Sequence, residues 1–395
     1  PGSRRRGRAG PMNFYALTAA YACVALAGLG IFLWGKADGN SCFDRAYRLV
    51  CVKFPRALKK VLEKCFGKRA PAALDFAWDY LCYQSNPLVQ LFYLAVVVGG
   101  YVTFVISGYP HIPNRLVGFF HKYIAFAVFT MCLWVWWKAC STDPGIITAR
   151  NVDDVCEVYP FDEQIFPVAR KCTSCDVVKP ARSKHCGLCN VCVAKFDHHC
   201  IWINNCVGVG NHKWFLLFLF WHLVLCFYGT GLGMAISFEI IMKKDLLQAV
   251  FVDPVTREKY KATYLIIAQY MLATEGMLVF VAVLCLIMGL VLGGFFLWHL
   301  NLVRTGTTTN ELSKWSYLKW CLKQEEDGKE QIKRLRNIYS DGCWKNYREV
   351  FVPIDVHRLP RQVAREAKER GGRGDDQKQA LAAKRGRGGG KAKKG

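Results

Sequence analysis

Long runs of apolar residues with few or no charged side chains dominate the hydrophobic pattern of this chain. Because 18 or more apolar residues are enough to cross a bilayer as a helix, the pattern predicts an α-helical membrane protein and excludes a soluble globular enzyme, a disordered protein and a fibrous repeat. The five predicted spans are Asn13–Trp34, Leu88–Ser107, Leu116–Trp137, Trp214–Phe238 and Gly276–Val303.

The last apolar region, Ala262–Val303, is long enough for a hairpin of two helices and carries only one charged residue, Glu275. A second helix in this hairpin would move the basic C-terminal tail to the opposite side of the membrane. We therefore predict one interfacial segment followed by one span.

Lysine and arginine residues concentrate on one side of this predicted topology. Segments 36–86, 141–213 and 304–395 carry 10, 8 and 23 of the 53 basic residues, whereas loops 108–115 and 239–261 carry 1 and 5. Since basic residues accumulate in cytoplasmic loops, we expect the three basic segments to be cytosolic.

The spans divide the chain into a predicted series of parts. We interpret residues 1–11 as a leader or vector-derived sequence, whose charges do not bear on the orientation of the chain in the membrane. Residues 12–140 are predicted to contain three helices and a basic cytosolic loop, 36–86, and residues 141–213 a cysteine-rich cytosolic domain. Residues 214–303 are predicted to contain two helices and a luminal loop, 239–261. Residues 304–355 would form a cytosolic C-terminal element and residues 356–395 a basic disordered tail.

One stretch of the first basic loop has the pattern of an amphipathic helix. Apolar residues recur at helical spacing from Leu58 to Phe66, with Lys59, Lys60 and Lys64 on the other face. This pattern suits a helix lying on an anionic membrane surface or a solvated helix packed on the cytosolic domain.

Net charge and cysteine content limit the classes of function that the chain can have. The formal net charge of +23 suits a nucleic-acid binder, but cytosolic loops of membrane proteins have the same bias, and no element that reads bases is apparent, so we expect no nucleic-acid partner. Seven of the 19 cysteines lie between Cys172 and Cys206, interleaved with histidines. Such a dense block is typical of a metal site in a reducing compartment.

The block contains ten candidate metal ligands, whereas two closed tetrahedral zinc sites need eight. Asp197, His198 and Cys200 stand together as an acid, an imidazole and a thiol, which is the set that activates a cysteine nucleophile. One interpretation therefore frees His198 and Cys200 for catalysis, and the other makes all ten residues structural. Spacing decides neither this question nor which four ligands share each ion.

The block Cys172–Phe215 resembles the cysteine-rich domain of the DHHC-type protein S-acyltransferases. Asp143-Pro144-Gly145 resembles the DPG motif of this family, Thr308–Glu311 its TTxE motif and Asn337–Phe351 its C-terminal element. The context of these motifs is most similar to the fourth animal member and the fungal Swf-type branch.

The resemblance implies a role for each residue of the block. Cys200 would be the nucleophile, His198 the base and Asp197 its orienting partner. Thr308–Glu311 and Asn346 would pack the C-terminal element against the catalytic domain. One zinc ion would bind Cys172, Cys175, His185 and Cys192, and the other Cys186, Cys189, His199 and Cys206.

The expected activity is transfer of a palmitoyl group from palmitoyl-CoA, by way of Cys200, to cysteines of membrane-associated substrate proteins. Arg182, Lys184 and Lys213 are candidates to bind the CoA phosphates. We expect a multi-pass protein of the endoplasmic reticulum or Golgi. The intramembrane residues His222 and His299 are expected to be hydrogen-bonded packing groups.

Two other functions remain open at this point. A membrane-anchored zinc module that binds partners without catalysis would need the zinc ligands but not Cys200. A RING-like ubiquitin ligase also uses two zinc ions, but it explains neither the run Asp197–Cys200 nor the flanking motifs.

Overall fold

The computed structural model describes Lys36, Gly39 and residues 41–168, 170–252, 257 and 259–356. The predicted first span and residues 357–395 of the predicted tail lie outside the described residues. The chain forms two compact units, Pro1–Tyr83 and Gln84–Gly395, which are described separately.

The first unit is helical in its described part. It contains α1 (Cys42–Tyr47), a π-helical turn (Arg48–Lys53), α2 (Phe54–Phe66) and α3 (Arg69–Tyr83). Helix α2 is the predicted amphipathic helix, and Gly67 ends it with a left-handed φ of 76°. Its contact with a membrane surface stays a prediction.

The second unit contains long apolar helices, short strands and short C-terminal helices. Its helices are α4 (Leu88–Gly108), α5 (His121–Ser141), α6 (Val152–Val158), α7 (His212–Lys243), α8 (Tyr264–Thr274), α9 (Gly276–Arg304), α10 (Thr309–Leu322), α11 (Gly328–Arg334) and α12 (Cys343–Phe351). Its strands are β1 (Ile146–Ile147), β2 (Lys171–Cys172), β3 (Val177–Val178), β4 (Lys184–Cys186), β5 (Val191–Val193), β6 (His198–Cys200), β7 (Asn205–Val207), β8 (Val250–Val252) and β9 (Lys259–Lys261).

Helices α4, α5, α7 and α9 are long and apolar enough to cross a membrane. They confirm four of the five predicted spans and, with the cysteine-rich domain between α5 and α7, the predicted fold class. The second of them begins at His121 rather than at Leu116. The reason is a turn before the helix, in which the Asn114 side chain accepts hydrogen bonds from the backbone N–H groups of Leu116 and Val117.

Helix α8 resolves the uncertain last apolar region in favour of one span. Its 11 residues extend for about 17 Å, which is too short for the ~30 Å hydrocarbon core. Thr263 caps its first turn by accepting from the backbone N–H of Ile266. A separate helix, α9, then begins at Gly276.

Helix α7 packs against both α5 and α9, and α4 packs against α9. A methyl group added to Gly233 of α7 would come within 2.6 Å of Cβ of Ala282 on α9, so glycine permits the close approach of these two helices. Ile236 and Leu278 are fully buried in the same contact. Small residues at helix crossings are typical of membrane-spanning helices.

The cysteine-rich domain consists of short antiparallel pairings rather than one sheet. The strands form a three-stranded sheet of order β1-β5-β4 and the hairpins β2–β3 and β6–β7. Trp315 of α10 and Tyr339, both from the C-terminal segment, complete its apolar core. This segment therefore folds back onto the domain.

Candidate active site and metal centres

The β6–β7 hairpin, or DHHC hairpin, separates the residues of the DHHC run, Asp197–Cys200. Successive side chains of a strand point to opposite faces, so His198 and Cys200 share one face of β6 and His199 lies on the other. In the register of the hairpin, His199 is directly opposite Cys206. The strand therefore directs two residues one way and the histidine between them the other way.

The first complete set of metal donors joins the hairpin β2–β3 to the strands β4 and β5. Nδ1 of His185 lies 3.3 Å from Sγ of Cys175 and 3.8 Å from Sγ of Cys192. Together with Cys172 these residues form a group that can hold a metal ion.

The second set has the same composition, three cysteines and one histidine. Nδ1 of His199 lies 3.3 Å from Sγ of Cys189 and 3.7 Å from Sγ of both Cys186 and Cys206. Sγ of Cys206 lies 3.6 Å from Sγ of Cys189.

Both donor sets fit zinc by distance as well as by chemistry. Zn–S bonds of ~2.3 Å and Zn–N bonds of ~2.05 Å at tetrahedral angles separate S from N by about 3.6 Å and S from S by about 3.8 Å. The observed separations scatter around these values. The two sets are also disjoint, so they use eight of the ten candidate ligands.

The two remaining residues, His198 and Cys200, adjoin a buried carboxylate. Oδ2 of Asp197 lies 2.6 Å from Nδ1 of His198. Burial lowers the pKa of His198, but hydrogen bonds to Asp197 and Cys200 outweigh it and raise this pKa to about 9. Burial raises the pKa of Asp197, yet the hydrogen bond from His198 holds it below its ordinary value.

Thr309 fixes the other side of the Asp197 carboxylate. Its backbone N–H donates to Oδ1 at 2.7 Å and its hydroxyl to Oδ2 at 3.0 Å. Thr309 is the first residue of α10, so the positive end of the helix dipole faces the carboxylate. Thr308 and Glu311 form a capping box that fixes this helix end, and the Thr308 hydroxyl also donates to the backbone carbonyl of Phe196.

A buried ion network ties the cysteine-rich domain to the C-terminal helices. Nε and Nη2 of Arg182 donate to the two oxygens of Glu311 at 2.6 and 2.9 Å, and both side chains are 1% exposed. Glu349 of α12 accepts from Lys195 at 2.7 Å and from the hydroxyl of Tyr159 at 3.1 Å. The two cations and two carboxylates balance in charge, as burial requires.

The hairpin that carries Cys200 is fixed to the end of a span. The side-chain amide of Asn205 donates to the backbone carbonyls of Ala139, Cys140 and Thr142, which lack helical partners at the end of α5. Cys200 is buried among apolar side chains at the same end of the spans, including Val135, Phe215 and Leu216. The thiol therefore lies where the cysteine-rich domain meets the apolar helices.

Comparisons with known proteins match this arrangement. Residues 165–316 match the family described as DHHC palmitoyltransferase. The chain is 32% identical to Palmitoyltransferase ZDHHC4 of Rattus norvegicus over 309 residues, which is 76% of this chain and 83% of the relative. It is 30% identical to Palmitoyltransferase swf1 of Schizosaccharomyces pombe over 364 residues, 84% of this chain and 96% of the relative.

The chain belongs to the DHHC palmitoyltransferase family. A further relative, Palmitoyltransferase SWF1 of Neurospora crassa, is 26% identical over 375 residues, covering 80% of this chain and 86% of the relative. The predicted similarity to the fourth animal member and the Swf-type branch is thereby confirmed.

The DPG motif and the C-terminal element each make defined structural contacts. In the DPG motif, Asp143 accepts from the backbone N–H of Gly145 at 2.6 Å. Gly145 has a φ of 100°, and a Cβ there would lie 2.6 Å from Val209, so only glycine fits. Asn346 of the C-terminal element donates to the carbonyl of Arg304 at the end of α9.

The three candidate CoA-binding cations occupy different environments. Arg182 is buried in the ion network, whereas Lys184 is exposed and Lys213 is half-buried. Lys184 borders a cleft of about 460 Å³, to which Arg170, Lys179 and Lys314 also contribute.

The sequence analysis missed several residues at the site. Lys195 and Glu349 were not singled out, because an isolated charged residue gives no sign of burial. The signal for Thr309 was its place in the TTxE motif, but its contact with Asp197 joins residues 112 positions apart.

Proposed function

We propose that this protein is an S-acyltransferase that moves a palmitoyl group from palmitoyl-CoA to Cys200 and then to cysteines of substrate proteins. One observation carries the proposal. Cys200 and His198 share a face of β6 beside Asp197, while the other eight ligands divide into two complete donor sets.

In the first step, Nε2 of His198 takes the proton of the Cys200 thiol. The raised pKa of the His198 imidazole favours this transfer. The thiolate attacks the thioester carbonyl of the acyl-CoA and a new C–S bond forms. The C–S bond to CoA breaks, and the leaving thiolate accepts the proton from His198.

In the second step, His198 takes the proton of a substrate thiol, which attacks the acyl-Cys200 thioester. The bond to Cys200 breaks, and Cys200 leaves as a thiolate that the imidazolium stabilises. One thioester replaces another, so no energy source is required. Asp197, held by Thr309, keeps Nδ1 of His198 protonated and Nε2 directed at the reacting sulfur.

Two structural zinc ions would hold the DHHC hairpin rigid around this chemistry. The Cys₃His sets leave no open coordination position and so favour a structural role. A structural zinc ion supplies ~10–16 kcal/mol of folding free energy, a large contribution to a domain whose strands are only two or three residues long.

The apolar surroundings of Cys200 suit a long acyl chain. Burying the roughly fourteen CH₂ groups of a palmitoyl chain contributes about 11 kcal/mol at ~0.8 kcal/mol each. Cys200 lies beside the ends of α5 and α7, so the chain can enter the spans while CoA stays in water. The distribution of basic residues supports a cytosolic active site, and we propose the endoplasmic reticulum or Golgi as its membrane.

The basic cleft beside α10 suits the phosphates of CoA. It is bordered by Lys184 and by Asn310, which follows the Asp197-binding residue Thr309. Lys213 offers a second cation in the first turn of α7. Arg182 is engaged by Glu311, so we assign it to holding α10 on the domain instead of to CoA.

The alternative function is a catalytically silent zinc module that binds partners at the membrane. Such a module needs both donor sets but has no use for a thiol paired with a histidine. Intact-mass analysis of the full chain incubated with palmitoyl-CoA separates the two functions. We expect one hydroxylamine-labile palmitoyl group on the wild type and none on Cys200→Ser, which should keep two zinc ions. An unmodified wild type, or an acylated Cys200→Ser, would reject the proposal.

A further inference from the structure

Two histidines beside the DHHC hairpin have ring nitrogens without hydrogen-bond partners. His212 begins α7 and is 3% exposed, and His299 lies near the end of α9 and is 1% exposed. Within the described part of the chain, Nε2 of His212 and both ring nitrogens of His299 have no partner. Buried polar atoms of this kind are rare and call for a ligand, an ion or a water molecule.

The carboxylate of Asp197 faces the same place and retains bonding capacity. Its two oxygens offer about four lone-pair positions, of which Thr309 and His198 use three. The ligand atoms of Asp197, His212 and His299 all lie within 4.8 Å of one another. Three segments of the chain therefore direct one oxygen and two nitrogens into one buried space.

Among the described residues, the ring of His299 lies mainly among aromatic side chains, and its tilted contact with the His198 ring at 5.8 Å supplies no hydrogen bond. The His299 ring packs edge-to-face against Phe215, Phe295 and Trp298, with centroid separations of 5.0, 4.5 and 4.8 Å. The aromatic walls hold the imidazole in place while leaving its nitrogens unsatisfied. Such preorganised, desolvated donors favour an ion that replaces the missing hydrogen bonds.

We propose that Asp197, His212 and His299 bind a third divalent ion of the zinc class, separate from the two Cys₃His sets. Two imidazoles and one carboxylate are a common three-ligand set for zinc, and they leave the fourth position open. A tetrahedron of N and O ligands has edges of about 3.4 Å. Since the three ligand atoms lie within 4.8 Å of one another, the distances between them need to shorten by little more than about 1 Å. The open position and this adjustment predict weaker, exchangeable binding than at the cysteine sets.

Binding at this site would inhibit the enzyme, a consequence that rests on the proposed function. The carboxylate that orients His198 would then also ligate a dication, which cancels the negative charge facing the imidazole. Proton transfer from Cys200 would lose its electrostatic support. Free zinc would therefore act as a reversible inhibitor at Asp197 itself.

The test is zinc stoichiometry of the full chain in detergent micelles, measured by equilibrium dialysis at rising micromolar Zn²⁺. We expect two tightly bound ions and a third, weaker one in the wild type. The variants His299→Gln and His212→Gln should each bind only two. His222→Gln is the matched control, because His222 is also a buried histidine of α7 but bonds Tyr93 and the carbonyl of Phe218; it should bind three.

Several results would overturn the site. These are a wild type that saturates at two ions, a third ion that survives in both variants, or its loss in the control. Cobalt binding to the wild type tests the site without a variant, because the third Co²⁺ should add ligand-field bands without sulfur charge-transfer absorption. Sulfur charge transfer from the third ion would assign it to cysteine.

Inhibition is measured separately on the same samples. Zinc should slow autoacylation of the wild type by ~10²-fold, the lower end of what a general base contributes. It should slow autoacylation of the control His222→Gln by at least as much. A third ion that binds without slowing acylation would overturn the inhibition and leave the site standing. A chain that never acylates would reject the proposed function, whereas the stoichiometry would still decide the metal site.

Discussion

Thr309 donates two hydrogen bonds to Asp197, one from its backbone N–H at 2.7 Å and one from its hydroxyl at 3.0 Å. In the sequence, Asp197 precedes the last two spans and Thr309 follows them. The first turn of α10 therefore orients the carboxylate that bonds His198. This contact makes the C-terminal segment part of the proposed active site.

Replacing Thr309 by valine tests this contact. Thr309→Val removes the hydroxyl donor but keeps the shape of the side chain and the backbone N–H. A hydrogen bond to a charged group contributes ~1.5–3 kcal/mol, so autoacylation should slow by about 10- to 100-fold with two zinc ions retained. The rate is measured by intact mass after incubation with palmitoyl-CoA.

The matched control for this variant is Thr305→Val. The hydroxyl of Thr305 donates only to carbonyls of its own helix end, those of Asn301 and Leu302. It should acylate at nearly the wild-type rate. If Thr309→Val and Thr305→Val acylate at the same rate, whether both are fast or both are slow, Thr309 has no special role.

The buried pair Arg182–Glu311 predicts a stability effect. Arg182→Met leaves Glu311 charged and unpaired, which should lower the free energy of unfolding by ~3–5 kcal/mol. Glu311→Gln removes the unpaired charge and still accepts from Thr308, so the double variant should recover part of this loss. Thermal unfolding in detergent micelles gives both values.

An exposed ion pair provides the comparison for the buried one. Lys171 and Asp176 form a pair on the surface of the cysteine-rich domain. Lys171→Met should cost less than ~1 kcal/mol, as surface pairs do. If the losses in unfolding free energy caused by Arg182→Met and by Glu311→Gln simply added in the double variant, the two buried residues would not be energetically coupled.

The spans could be predicted from the sequence because uncharged runs of this length have few other uses. The bounds were less accurate where side-chain chemistry interrupts the pattern. Asn114 forms a turn that delays α5 to His121, and the helix break at Glu275 divides an apolar stretch that looks continuous. These details depend on local hydrogen bonds that hydrophobicity does not report.

At the site, the spacing of cysteines and histidines identified the candidates but not their partners. The structure adds the alternation along β6, which separates His199 from His198, and the pairing of Arg182 with Glu311 across 129 positions. His222 is hydrogen-bonded as expected, whereas the same expectation for His299 is wrong. Contacts between distant segments were beyond the reach of sequence patterns.

Each donor set should lose its ion when one cysteine is replaced. Cys172→Ala should lose zinc from the first set and Cys189→Ala from the second. The ~10–16 kcal/mol of a structural zinc ion rivals the ~5–15 kcal/mol stability of a typical protein, so both variants should fold poorly. Metal analysis and yield after purification are the measurements.

Cys156→Ala serves as the control, because Cys156 packs against the same domain core but belongs to neither donor set. It should keep two tightly bound zinc ions and the wild-type yield. Full zinc content in Cys172→Ala or Cys189→Ala would contradict the assignment of eight ligands.

The most direct test compares the adjacent histidines of β6 by tightly bound zinc content and by the rates of both half-reactions. His198→Ala should keep two zinc ions and acylate ~10²–10⁴-fold more slowly, because it lacks only the base. Transfer from its acyl-enzyme to a substrate cysteine should slow as well. His199→Ala should lose zinc from the second set and unfold the domain. The opposite pattern, with zinc lost from His198→Ala and a folded but slow His199→Ala, would contradict the account.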